Sequence, residues 1–228
     1  MTLRTSALSA LGAFALVATA SAPALAAKPF SADYVASYMG MQGAGRMSIA
    51  SAGGNRWKYS LSIRNSVAQL SQVTTFDDVG GQLRPLSSTD SSLLLIKKVN
   101  RNATYDWSKG EARWSGDVKP DRAGPVKLQA GDLDGLLVNL ALARDAAAGK
   151  AGSYRMVDDG RVKQINTTID GKETLSIGGR DRQATRATYA DGDKQYVVWA
   201  VEGIPVPARI LQRKDGKDQI DLRIASLK

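Results

Sequence analysis

From Phe30 onward the chain alternates apolar and polar side chains with a period of two. Phe30, Ala32, Tyr34, Ala36 and Tyr38 share one face while Ser31, Asp33, Val35 and Ser37 share the other, which predicts a half-buried strand. After glycines at positions 40, 43 and 45, Met47 and Ile49 mark a second strand, and Gly53-Gly54-Asn55 predicts a hairpin turn because these residues tolerate positive φ. Trp57, Tyr59, Leu61 and Ile63 then alternate with Lys58, Ser60, Ser62 and Arg64, giving a strand with a large aromatic face. A strand near Val73 to Phe76, a turn at Gly80-Gly81 and the run Leu83-Arg84-Pro85-Leu86 follow; proline there points to an edge or an exit from pairing. Leu93, Leu94, Leu95 and Ile96 are consecutive, which predicts a strand covered on both faces. Arg101 to Trp107 and Ala112 to Trp114 flank Lys109-Gly110 as a hairpin, with Tyr105 and Trp107 on one face, and 116–130 reads as a long loop holding Pro120, Gly124 and Pro125.

The period changes once, over about 132–148. Leu133, Leu136, Leu137 and Leu140 fall on one helical stripe, Asp132 or Asp134 can cap the N-terminus, Arg144 sits near the negative end of the dipole, and Gly149 closes the helix. Val138 and Leu142 project from the opposite side. Leaving such side chains wet forfeits roughly 1.5–3 kcal/mol each, so the back of the helix also needs a cover, for which the 116–130 loop and the 93–96 strand are the candidates.

Beyond the helix, Ser153–Val157, Val162–Ile169, Lys172–Ile177, Asp181–Tyr189, Gln195–Val201, Ala208–Arg213 and Gln219–Ile224 read as strands. Asp-Gly and Gly-Gly pairs separate them, as in an antiparallel meander. The predicted architecture is mainly β: one strongly curved antiparallel sheet of about ten strands, an open or closed barrel, with a single main α-helix. A two-sheet sandwich is the alternative.

The first 26 residues differ from all this. Arg4, an apolar run from Ala7 to Ala20, and Ser21-Ala22-Pro23-Ala24-Leu25-Ala26 read as a secretory signal peptide cleaved after Ala26, leaving 27–228 as one β-rich domain in the periplasm. No later segment is apolar for long enough to span a bilayer as a helix. The chain has no cysteine and no histidine, which excludes disulfides, thiolate sites, Ser-His-Asp and Cys-His triads and histidine-based zinc sites. The formal net charge is +9, of which Arg4 carries one. Such a balance favours anionic partners, and export argues against nucleic acid.

Little in the pattern suggests catalysis. Asp132-x-Asp134-Gly135 opens like a calcium loop, but Leu136 and Ala143 stand where oxygen ligands are needed, so capping is the better reading. Asp158-Asp159-Gly160 and Asp191-Gly192-Asp193 read as turns, and the glutamates Glu111, Glu173 and Glu202 pick out no acid/base pair. No enzyme, metal or cofactor is expected.

The leader, the first strand ending at Gly40, Leu83-x-Pro85, the Asp132-led helix, Val157-Asp158-Asp159-Gly160-x-Val162, Trp199 and Ile204-Pro205-Val206-Pro207-x-Arg209 occur together in this order. In that order and spacing the chain resembles the bacterial domain of unknown function 3108 family over most of residues 28–228. The resemblance implies a periplasmic β-rich protein and names no catalytic residue. The general plan is also similar to that of periplasmic lipoprotein-localisation carriers. The leading expectation is therefore a non-enzymatic binding protein holding an apolar small molecule or lipid between sheet and helix, lined by Trp57, Tyr59, Tyr105, Leu136, Leu137 and Leu140. The alternative is an envelope interaction module that binds a protein or anionic glycan through a basic surface.

Overall fold

The computed structural model of the chain describes residues 27–38 and 40–228; the expected signal peptide at 1–26 lies outside them. Its first strands are β1 (Phe30–Tyr38), β2 (Met41–Ser51), β3 (Arg56–Arg64), β4 (Ala68–Val79), β5 (Gln82–Leu94), β6 (Lys97–Asp106), β7 (Glu111–Gly116) and the short β8 (Val126–Lys127). Helix α1 (Gly135–Ala147) follows, and then β9 (Ser153–Asp158), β10 (Arg161–Asn166), β11 (Thr168–Ile177), β12 (Arg180–Asp191), β13 (Lys194–Val201), β14 (Arg209–Lys214) and β15 (Lys217–Leu227).

Thirteen strands form one sheet in the order β11-β12-β13-β14-β15-β1-β2-β3-β4-β5-β6-β7-β8. Every neighbour is also the neighbour in sequence except β15 and β1, which zip the two ends of the described chain together from Ala32↔Leu227 to Tyr38↔Ile220. The free edges are β8 and β11, so the barrel is open and the sandwich alternative does not hold. Between those edges the chain leaves the sheet to build α1 and the separate β9–β10 hairpin.

Bulges supply the curvature. Pairing slips by a residue at Asp33/Tyr34, Thr75/Phe76, Ile169/Gly171 and Gln212/Arg213, and each slip bends and twists its strand. Three expectations change here. Pro85 lies in an interior strand, opposite Phe76 at a bulge, where its missing N–H breaks no regular ladder. Asp170-Gly171 is a bulge inside β11 and not a turn. The single strand expected over Val162–Ile169 is split at Thr167, whose amide and hydroxyl both bond to Gly152, so that β10 pairs with β9 and β11 joins the large sheet.

The concave face holds Ala32, Tyr34, Met47, Ile49, Tyr59, Leu61 and Phe76, all in one core with the helix. Helix α1 packs against β12 and β13 on one side, β3 to β5 on another, and β9. Alanines at 184, 187 and 200 of the sheet and 141, 143 and 146 of the helix are all buried, and side chains so small let backbones approach closely. Val138 and Leu142 are buried too, so α1 is apolar nearly all round, as a helix enclosed by its sheet must be. The 93–96 segment does not cover it. Leu95 and Ile96 form the β5–β6 turn, and Ile96 is 97% exposed.

Candidate functional site

The six side chains expected to line a ligand site have different fates. Tyr59, Leu136, Leu137 and Leu140 are buried in the main core, and Trp57 packs against its margin. The Tyr59 hydroxyl donates to Met47 Sδ at 3.3 Å, and burial holds its phenol well above the ordinary range. Tyr105 belongs to a second cluster, edge-to-face with Trp114 at 6.1 Å and donating to the Val157 carbonyl at 3.0 Å. Two grooves on the molecule lie elsewhere. One of about 690 Å³ is lined by residues including Arg46, Arg64, Gln69, Ser91, Leu93 and Lys98; another of about 360 Å³ is lined by residues including Val35, Gln42, Gln219 and Arg223. No helix residue lines either groove.

The two Asp-Gly motifs that read as a cap and a turn are parts of one junction. Asp134 is the N-cap: its Oδ1 accepts from the Leu137 amide at 2.8 Å and its Oδ2 from the Thr74 hydroxyl of β4 at 2.5 Å. Burial pushes the Asp134 carboxyl up to about 7, against the opposing pull of the Thr74 bond. Asp158, at the end of β9, is pushed up to about 6 for the same reason, although its Oδ1 accepts from the Asp159 amide at 2.9 Å. A Cβ at Gly135 would lie 2.7 Å from Asp158 Oδ2, so the first helical residue is glycine because the carboxylate occupies that space. Gly160 has φ +66°, and a Cβ there would meet the Arg122 carbonyl.

Arginines complete the junction. Arg155 pairs with the fully buried Asp132, whose Oδ2 also accepts from the Gln129 amide at 2.7 Å. Arg101 of β6 bridges Asp90 of β5 at 3.1 Å and Asp159 at 2.9 Å, and Arg122 also pairs with Asp159. The arrangement therefore ties the helix start to β4, β5, β6 and the β9–β10 turn. Both Asp134 oxygens are committed to internal donors, and no cluster of acidic groups fit to hold a metal occurs among the described residues. This chemistry is that of a latch.

With sheet order, helix and junction in place, the fold has a solved counterpart. It is similar to a β-barrel-like protein of the domain of unknown function DUF1849 from Brucella abortus, at 11% identity, over 91% of this chain and 99% of that one, with a TM-score of 0.52. At that identity the likeness establishes the fold alone. A slighter similarity, TM-score 0.40 and 10% identity over 88% of this chain and 51% of the other, is to the Pseudomonas aeruginosa MucA/MucB complex structure. No protein-family model and no curated protein matches the chain.

Sequence reasoning missed one surface feature. The run at 93–96 has the composition of a buried strand, and only its place between two pairing strands reveals it as a protruding tip. Lys97 and Lys98 follow it, both exposed and in no ion pair among the described residues. No helix among the described residues is long and apolar enough to cross a membrane.

Proposed function

We propose that the chain is an exported, non-enzymatic module of the bacterial cell envelope that works through contacts on its outside. The observation that carries this reading is where the apolar side chains go. The contact between helix and sheet is occupied by the protein's own leucines, alanines and Tyr59, while an apolar run is held in water at the β5–β6 tip. An apolar ligand between sheet and helix would need Tyr59, Leu136, Leu137 and Leu140 to part, and close-packed interiors resist that. A basic surface supports anionic partners: besides Lys97 and Lys98, Arg64 lines the larger groove without an ion pair among the described residues. The leader at 1–26 supports export to the periplasm, and the shared order of motifs, two of which interlock in the latch, supports membership of the domain of unknown function 3108 family.

Fractionation tests the proposal. Expressed with its leader in a Gram-negative host, the protein is expected in the periplasmic extract with the mass of residues 27–228, and to sediment with isolated envelope membranes at low salt and leave them at high salt. An uncut cytoplasmic product, or no sedimentation at any salt, would contradict it.

A further inference from the structure

We propose that the β5–β6 tip is a wedge for anionic phospholipid surfaces, in which Leu94, Leu95 and Ile96 enter the boundary between headgroups and acyl chains and Lys97 and Lys98 meet the phosphates. The proposal rests on the reading of an outside-acting envelope module and names its partner.

Three observations converge on it. The first is exposure: Leu95 is 70% and Ile96 97% exposed, whereas among the other described leucines and isoleucines outside 93–96 only Leu227 is exposed. The second is backbone cost. Leu95 has φ +54°, whereas the other non-glycine residues with positive φ among those described are Asp159 and Asp215, each in an Asp-Gly turn. Glycine or asparagine would serve a two-residue hairpin turn without that strain. A bulky apolar residue kept there, facing water, is explained by something it touches outside the fold.

The third observation is the match to a bilayer. The apolar point is collared by Lys97 and Lys98, in no ion pair among the described residues, whose alkyl stems can lie against lipid while the ammonium groups reach phosphate. Part of the tip's backbone is already bonded within the protein: Leu94 pairs with Lys97 and Ala68, and the Leu95 amide donates to the Val67 carbonyl at 2.8 Å. A polar backbone already bonded within the protein can enter an apolar layer. A protein partner is the poorer fit, because a stable interface covers roughly 800 Å² per side and this point consists of three side chains.

Purified protein sedimented with vesicles of phosphatidylglycerol mixed into phosphatidylcholine, against vesicles of phosphatidylcholine alone, tests the idea. Binding is expected to the mixed vesicles, weakened by high salt, and much less to the neutral ones. Leu95→Gly with Ile96→Ser is expected to lower that binding about tenfold while thermal unfolding stays level or rises, since glycine relieves the strained turn. Lys97→Glu with Lys98→Glu is expected to abolish the preference for the anionic vesicles. Unchanged binding by the tip variant would overturn the proposal, as would equal binding to both vesicle types. Sedimentation with envelope membranes but not with lipid vesicles would assign the tip to a protein partner, sinking this inference and sparing the envelope module; binding to neither would sink both.

Discussion

Arg155→Ala is expected to destabilise the fold by about 3–5 kcal/mol, the usual cost of leaving a buried charge without its partner. Asp132 is fully buried, and Arg155 is its only ion-pair partner among the described residues. One of its carboxylate oxygens, Oδ1, already lacks a hydrogen-bond donor, so little else can compensate. For a domain of this size that loss corresponds to a fall in Tm of about 6–20 °C, measurable by circular dichroism. Adding Asp132→Asn removes the stranded charge while keeping an acceptor for Gln129, and the double variant should recover part of the loss. A loss below about 1 kcal/mol, the range of exposed pairs, would show that water reaches Asp132 and that the latch is open.

Stability is also expected to fall as pH rises from about 4 to about 7. Asp134 has a folded-state pKa of about 7 against an ordinary value of 3.8, so between those values the folded chain holds a proton that the unfolded chain releases. Its stabilising contribution is complete below the lower value and lost as pH passes through the upper one. The size is on the order of a few kcal/mol, at 1.36 kcal/mol for each pKa unit. Asp158, pushed up to about 6, adds a slope of the same sign over a narrower window. Asp134→Asn keeps a side-chain oxygen for the Leu137 amide and carries no titrating proton. The variant should therefore match the parent near pH 4, exceed it above pH 7, and show a flattened profile between. Parallel profiles for parent and variant would place the proton elsewhere.

Much of the fold was legible in short-range pattern. The alternation in β1 and β3 named the side chains that face the core, and the spacing of Leu136, Leu137 and Leu140, with Asp132 or Asp134 as cap and Gly149 beyond the end, located the helix within a few residues, although Leu133 lies before it in a bridge to Met156. Pairing between β15 and β1 was not legible, because nothing local in Leu222 or Ile224 says that its partner stands near the other end of the chain. Bulges at Pro85 and Gly171 mimic turn signals, since both need the same relaxed backbone rules. The latch was hidden for another reason: Asp-Gly pairs are ordinary turn chemistry, and only the close approach of Asp158 to Gly135 shows two of them to be one device. Composition also misled at 93–96, where a tip and a core strand share the same residues and differ only in what surrounds them.

On the proposed reading the sheet encloses its own helix and binding belongs to the outside. Native mass spectrometry of the protein purified from the periplasm tests this directly. The expected spectrum shows the polypeptide 27–228 alone, with no adduct released on gentle activation. A retained apolar adduct, lost when Leu137 is enlarged to Phe, would contradict it and return the binding site to the space between helix and sheet.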